Sequence, residues 1–224
     1  MSDKATVESK KRKKYASRLY PKDSLKDALK IAQAIKDYSA GKPYDRLDLA
    51  KAFNISPGVW SFRSLITSSG RYGLTTGSYN SKQIALTPLG TSIMYPKDPQ
   101  EEADCLKTAL FNIPLFRKFF TDYDNNKLPN VEFLENTLNR TYGIPVEDSK
   151  ECYEILVKNA KELDILEDLK GSFWIHLARL SKAESARARA GLSFHFPPNK
   201  DAENIAPIAA PTVKRSSYAS MKYM

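Results

Sequence analysis

The residues of this chain best suited to chemistry are hydroxyl side chains gathered around one arginine in the segment 56–69. A guanidinium can donate two hydrogen bonds to one guanine edge, and serine and threonine hydroxyls can bind phosphates or bases. If Phe62, Leu65 and Ile66 face a core, helical geometry turns the polar side chains outward or to the flanks. We therefore predict that Ser56 caps a helix whose polar side presents Trp60, Ser61, Arg63, Ser64, Thr67 and Ser68. A solvated helix face without a ligand is the alternative.

Polar and cationic residues also follow this segment, in a stretch with the pattern of a β-hairpin. Residues 72–76 and 83–87 are short strand-like runs, and the loop between them contains glycine and serine. Side chains at its tip and flanks could contact a sugar-phosphate backbone or a minor groove. These side chains are Arg71, Tyr79, Asn80 and Lys82. A short hairpin with a polar tip is also a common element without a ligand.

The run Lys10–Lys14 is wholly basic. On DNA such a run adds affinity that falls steeply with salt and carries little sequence information. It could also be a nuclear address in a eukaryote, or a basic tail without a specific role. We include Lys11, Arg12 and Lys13 among the predicted DNA-contacting residues.

No arrangement typical of an enzyme occurs in the sequence. His176 and His195 have no cysteine or paired acids at metal-ligand spacing, and neither a phosphate-binding glycine loop nor a Gly-x-Ser-x-Gly elbow is present. Cys105 and Cys152 sit in helical patterns and are predicted to be small core residues. We therefore expect no enzyme, cofactor or metal. The acids of the middle region are expected on a solvated helix face: Glu132, Glu135, Glu147, Asp148 and Glu151.

Three predicted helices would position the polar segment. The first is capped by Asp23 or Ser24, the second covers about 45–53, and the third covers about 57–69 with Pro57 in its first position. The middle region repeats this order loosely. It contains a helix capped by Asp98, further helices over about 113–123, 130–142 and 147–163, and a small hairpin over 165–175.

Charge is distributed unevenly along the chain. Residues 21–96 hold ten Lys/Arg and five Asp/Glu, whereas residues 97–177 hold ten and sixteen. The net charge of +9 therefore comes from the first folded part and both termini, which suggests that one part faces a polyanion. No apolar run reaches the roughly 18 residues that span a bilayer, and two cysteines without a disulfide framework favour a reducing compartment.

The segment 49–56 resembles the helix-turn-helix pattern. Ala50 matches the small residue where the helices cross, Asn54 matches the position that needs positive φ, and Ser56 matches the capping residue. Pro57-Gly58 departs from the common pattern at the start of the recognition helix. The stretch 84–90 is similar to the end of the wing in many bacterial winged-helix regulators. More weakly, residues 56–79 look like the N-terminal module of uncharacterised prokaryotic proteins, some of which continue into a TIR-like effector domain.

These patterns predict a mainly α fold with small β-hairpins (α+β), built from tandem winged-helix-like units. We expect a basic disordered arm over 1–20, a winged-helix domain over 21–96, a second winged-helix-like domain over 97–177 and a basic tail over 178–224. The expected function is binding of double-stranded DNA by a cytoplasmic, nucleoid-associated regulator (nuclear in a eukaryote). The acidic second domain would bind a second copy or a protein partner. The alternative is a non-enzymatic interaction adaptor or a regulatory module of a prokaryotic defence-type system.

Overall fold

A computed structural model describes residues 18–180 of the chain. The predicted arm up to residue 17 and the predicted tail from residue 181 lie outside the described residues. Within them, eight helices accompany five short strands, and every paired strand is antiparallel. The predicted fold class, mainly α with small β-hairpins, is confirmed.

The first half contains four helices and a small sheet. The elements are α1 (Leu25–Ser39), β1 (Tyr44–Asp45), α2 (Arg46–Ala52), α3 (Trp60–Arg71), β2 (Thr75–Thr76), β3 (Gln83–Leu86) and α4 (Pro88–Met94). Strand β3 lies in the middle of the sheet, between β1 and β2, with Tyr44 opposite Ile84 and Thr75 opposite Leu86. Strand β1 and helix α4 were not predicted from the sequence.

Helix α1 begins where its sequence predicts. The side chain of Ser24 caps the helix by accepting a hydrogen bond from the backbone N–H of Asp27 at 3.2 Å. The apolar stripe from Leu25 to Ile35 is buried, which fixes the orientation of the helix against the rest of the first half. Of the two predicted caps, Ser24 is therefore the one used.

The turn between α2 and α3 confirms one prediction and corrects another. Asn54 has a φ of 53°, the left-handed conformation expected from its place in the pattern, and Ala50 is fully buried. The predicted start of the next helix at Pro57, with Ser56 as its cap, is wrong. Residues 56–59 instead form a turn that is closed by a hydrogen bond from Val59 N–H to the carbonyl of Ser56 at 3.0 Å. Helix α3 therefore begins at Trp60, and no side chain caps it.

The second half contains four helices and a hairpin. The elements are α5 (Pro99–Phe111), α6 (Pro114–Asp122), α7 (Val131–Tyr142), α8 (Val146–Glu162), β4 (Leu166–Leu169) and β5 (Ser172–Ile175). Residues just after α6 form isolated bridges with β5, a parallel one between Asp124 and Ile175 and an antiparallel one between Lys127 and Trp174. Strand β5 thus lies between β4 and this short segment, as β3 lies between β1 and β2 in the first half.

One apolar core contains side chains from both halves. It extends from Tyr20 and Leu25 through Tyr72 and Phe116 to Leu180. A second, smaller cluster lies within the first half, where Phe62 and Ile66 of α3 pack against α1 and α2. The predicted last residue of the arm and the predicted first residues of the tail are therefore wrong, because Tyr20 and Leu180 are buried in the larger core. No helix among residues 18–180 is long and apolar enough to cross a bilayer.

Candidate nucleic-acid interface

The N-terminal part of α3 presents the polar side chains that the sequence predicts. Trp60, Ser61, Arg63 and Thr67 are exposed, while Phe62 and Ile66 on the opposite side are fully buried. Later helices among residues 18–180 therefore do not cover this part of α3. The exposed set lies on one helix face because residues three and four positions apart are neighbours on a helix surface.

The loop between β2 and β3 lies beside this face. The guanidinium carbon of Arg63 is 5.5 Å from the centroid of the Tyr79 ring, and Tyr79, Asn80 and Lys82 are all exposed. Within the described residues, neither Arg63 nor Lys82 forms an ion pair with a carboxylate. Their positive charges are thus available to an anion from outside the chain. We call this surface, made of Trp60, Ser61, Arg63, Thr67, Tyr79, Asn80 and Lys82, the polar face.

Short-range hydrogen bonds give the loop a fixed shape. Ser81 N–H donates to the carbonyl of Ser78 at 2.9 Å, and Ser78 N–H donates to the hydroxyl of Ser81 at 2.9 Å. Asn80 N–H donates to the hydroxyl of Ser78 at 3.2 Å. Such serine-backbone bonds are typical of tight turns. The tip of the loop is therefore held in one conformation beside α3.

Arg46 connects this loop with the turn that precedes α3. Its Nε donates to the carbonyl of Ser81 at 3.3 Å, and its Nη1 lies 3.4 Å from the carbonyl of Pro57. Its backbone N–H donates to the carbonyl of Lys82 at 2.9 Å. Sequence reasoning did not single out Arg46, because its partners are backbone groups that are distant along the chain.

Ser64 and Ser68 are turned away from the polar face. Ser68 is 1% exposed, so the prediction that it faces outward is wrong. Its hydroxyl donates to Oδ2 of Asp23 at 2.7 Å, and the hydroxyl of Ser64 donates to the same oxygen at 2.6 Å. Both serines therefore attach α3 to the segment that precedes α1.

Arg71 is also a structural residue. Its Nη1 donates to the carbonyl of Tyr20 at 2.5 Å, and its Nη2 donates to the carbonyl of Arg18 at 2.9 Å. Burial lowers the pKa of its guanidinium below the ordinary arginine value. Two of its five N–H donors are thus used within the chain, which gives Arg71 a structural role that the sequence did not predict.

Residues 18–24 form a segment, here called the strap, that contacts both α3 and α8. On the α8 side, Arg18 lies 2.9 Å from the carboxylate of Glu151 and 3.5 Å from that of Asp148. The hydroxyl of Tyr20 donates to the carbonyl of Asp148 at 3.1 Å. Just after the strap, Leu25 N–H donates to Oδ1 of Asn159 at 2.8 Å.

The ion pair of Arg18 with Glu151 corrects a prediction about the acids of the second half. Burial acts to raise the pKa of Glu151, but the hydrogen bond and charge of Arg18, together with Lys22, hold it below the ordinary value. Asp148 is buried as well. Neither acid belongs to a purely solvated face, whereas Glu132 and Glu147 are exposed as predicted.

Four predicted residues remain, Ser56 and three residues of the basic run. Ser56 is exposed in the turn before α3, where it does not cap the helix. Lys22 of the strap, which the sequence did not single out, lies with its Nζ 4.3 Å from the centroid of the Trp60 ring. Lys11, Arg12 and Lys13 lie outside the described residues.

Residues 18–180 contain no group of three or more His, Cys, Asp or Glu side chains placed to hold a metal ion. Comparison of the chain with protein-family models, with curated proteins and with solved structures found no match.

Proposed function

We propose that residues 21–96 are a winged-helix domain that binds double-stranded DNA, with α3 as the reading helix and the β2–β3 loop as the wing. The observation that carries this proposal is the polar face, where Arg63 is exposed and unpaired within the described residues beside a fixed loop with Asn80 and Lys82. The order α1, β1, α2, α3, β2, β3, with β3 in the middle of the sheet, also supports it.

The chemistry of the polar face suits a major groove. A groove about 12 Å wide admits a helix, and Arg63 can donate to a guanine edge from its exposed position. The hydroxyl of Ser61 is exposed one residue after the start of α3 and can bind a phosphate. On the wing, Lys82 and Asn80 can contact the sugar-phosphate backbone. The excess of basic residues in 21–96 favours this partner.

The second half would serve another purpose. The repeated order of helices and the repeated strand arrangement support a second winged-helix-like unit over 97–177. In this unit α8 takes the place of α3, but its Asp148 and Asn159 are buried and its Glu151 is paired with Arg18. We therefore propose one DNA-reading helix per chain, within a transcription regulator or DNA-associated factor. The acidic second unit would then contact a second copy or a protein.

A shift assay with the full chain tests the proposal. Duplexes of mixed sequence at low salt are expected to shift, and the affinity is expected to fall as salt rises because binding releases counterions. The double variant Arg63→Ala with Lys82→Ala should weaken the shift. Failure of the unchanged chain to shift any duplex at low salt would rule out DNA binding.

A second candidate function is protein docking through Trp60. This residue is 51% exposed, and tryptophan is enriched among the residues that dominate protein interfaces. The chain would then be an adaptor or a regulatory module of a prokaryotic defence-type system. A stable complex in pull-down that Trp60→Ala weakens and the Arg63→Ala, Lys82→Ala variant leaves intact would favour this function over DNA binding.

A further inference from the structure

We infer that the polar face recognises a guanine next to a pyrimidine with a C5 methyl group, with Arg63 on the guanine edge and Trp60 on the methyl. This inference rests on the proposed function, since it requires α3 to enter the major groove. It names what the reading helix would read, which DNA binding alone leaves open.

Trp60 presents an apolar side chain at the N-terminal end of α3. It is the first residue of the helix and is half exposed. The ammonium of Lys22 lies 4.3 Å from the ring centroid, so a cation–π contact orients the indole. An oriented, half-exposed indole among polar residues is suited to an apolar feature of a polar ligand.

Arg63 lies one helical turn after Trp60 and on the same face. The ring of Tyr79, 5.5 Å from the guanidinium carbon, supports the guanidinium from the wing. Stacking on an aromatic ring leaves the in-plane N–H donors free, and the planar fork matches a pair of acceptors. Arg63 is thus oriented before any ligand binds.

The spacing of the two side chains fits neighbouring bases. Three residues of an α-helix rise by about 4.5 Å. Successive bases of one DNA strand are about 3.4 Å apart along the axis. In the major groove, guanine offers the acceptors O6 and N7, and thymine offers a methyl group that apolar side chains contact. 5-Methylcytosine presents the same methyl on the same ring carbon, so the shared chemistry is a C5-methylated pyrimidine beside guanine.

The test begins with duplexes that the full chain selects from a random library. We expect the selected sites to contain a thymine beside a guanine. Replacing that thymine with uracil removes only the methyl group and should weaken binding about three- to tenfold, as expected for one buried methyl. Replacing the guanine with 7-deazaguanine removes the N7 acceptor and should weaken binding about tenfold or more.

Protein variants assign each effect to a residue. Trp60→Ala should bind thymine and uracil duplexes equally and still lose affinity with 7-deazaguanine. Arg63→Ala should bind guanine and 7-deazaguanine duplexes equally and still lose affinity with uracil. Tyr38→Ala is the matched control, because Tyr38 is an aromatic residue of α1 that is 61% exposed and outside the polar face. This control should keep both effects. A cytosine in place of the thymine, with and without its C5 methyl, then separates the two sources of the methyl group.

The outcomes separate this inference from the proposed function. Equal affinity of the unchanged chain for thymine and uracil duplexes overturns the inference while DNA binding stands. So does a selected site without a thymine beside a guanine. Absence of binding to every duplex removes both.

Discussion

The hydroxyl of Ser64 donates a hydrogen bond of 2.6 Å to the carboxylate of Asp23, which lies 41 residues earlier in the chain. The same carboxylate oxygen accepts from Ser68 one turn further along α3. One acid in the strap therefore fixes the rotation of α3 about its axis. This rotation determines which side of α3 is exposed, and it is the side with Arg63.

Asp23→Ala is expected to lower the free energy of unfolding by about 1–3 kcal/mol, because it leaves the buried hydroxyl of Ser68 without its acceptor. Urea unfolding monitored by circular dichroism measures this change. The control is Asp37→Ala on α1, since Asp37 is exposed and accepts only from Gln33 within the described residues. An equal loss in both variants would show that Asp23 does not hold α3 in place.

Arg63→Ala is expected to weaken DNA binding by about 1–3 kcal/mol and to relax specificity at one base pair. Fluorescence anisotropy with a selected duplex and its single-base variants measures both effects. Arg140→Ala is the matched control, because Arg140 is an exposed arginine on α7 in the second half. Similar losses in the two variants would mean that the affinity depends on overall charge rather than on the polar face.

Glu151 gives the stability of the chain a defined dependence on pH. Its pKa in the folded chain lies below the ordinary value of 4.5, because Arg18 and Lys22 outweigh the effect of burial. The carboxylate therefore stabilises the fold above that ordinary value, and this contribution is lost as the pH falls through the lower folded value. Glu151→Gln should destabilise the chain at pH 7, and the difference from the unchanged chain should shrink as the pH is lowered below 4.5.

Thermal unfolding at a series of pH values measures this difference. Glu154→Gln serves as the control, since Glu154 is exposed on the same helix and forms no ion pair within the described residues. A stability difference between Glu151→Gln and the unchanged chain that stays constant as the pH is lowered from 7 to well below 4.5 would contradict the role of the ion pair.

Variants of Asn54 test the backbone conformation of the turn between α2 and α3, where Asn54 has a φ of 53°. Asn54→Ala should lower the free energy of unfolding by about 1 kcal/mol, because a side chain with a Cβ and no local hydrogen bond is disfavoured there. Asn54→Gly should be neutral or slightly stabilising, since glycine adopts this conformation without strain. Chemical unfolding of the two variants compares them directly. The reverse order of stability would contradict the assigned conformation.

The sequence predicts those features of this molecule that depend on neighbours along the chain. The cap at Ser24, the positive φ at Asn54 and the cap at Asp98 follow from local backbone chemistry and are confirmed. Strand β1 was missed because it has two residues and exists only through its pairing with β3. The start of α3 was misplaced because the turn at Pro57-Gly58 occupies the position of a first helical turn.

For the candidate site, local spacing predicts the exposure of Trp60, Ser61, Arg63 and Thr67. The burial of Ser68 and the backbone contacts of Arg71 were not predicted, because their partners, Asp23 and the carbonyls of residues 18 and 20, come from a segment that runs alongside α3. Helical periodicity predicts which residues share a face of the helix. It does not predict which of these faces another part of the chain covers.

Arg18 joins α3 and α8 through a single residue. Its carbonyl accepts a hydrogen bond from Arg71 at the C-terminal end of α3, and its side chain is paired with Glu151 of α8. A change that displaces Arg18 would therefore disturb contacts on both helices at once, so the strap couples the stability of the first half to that of the second.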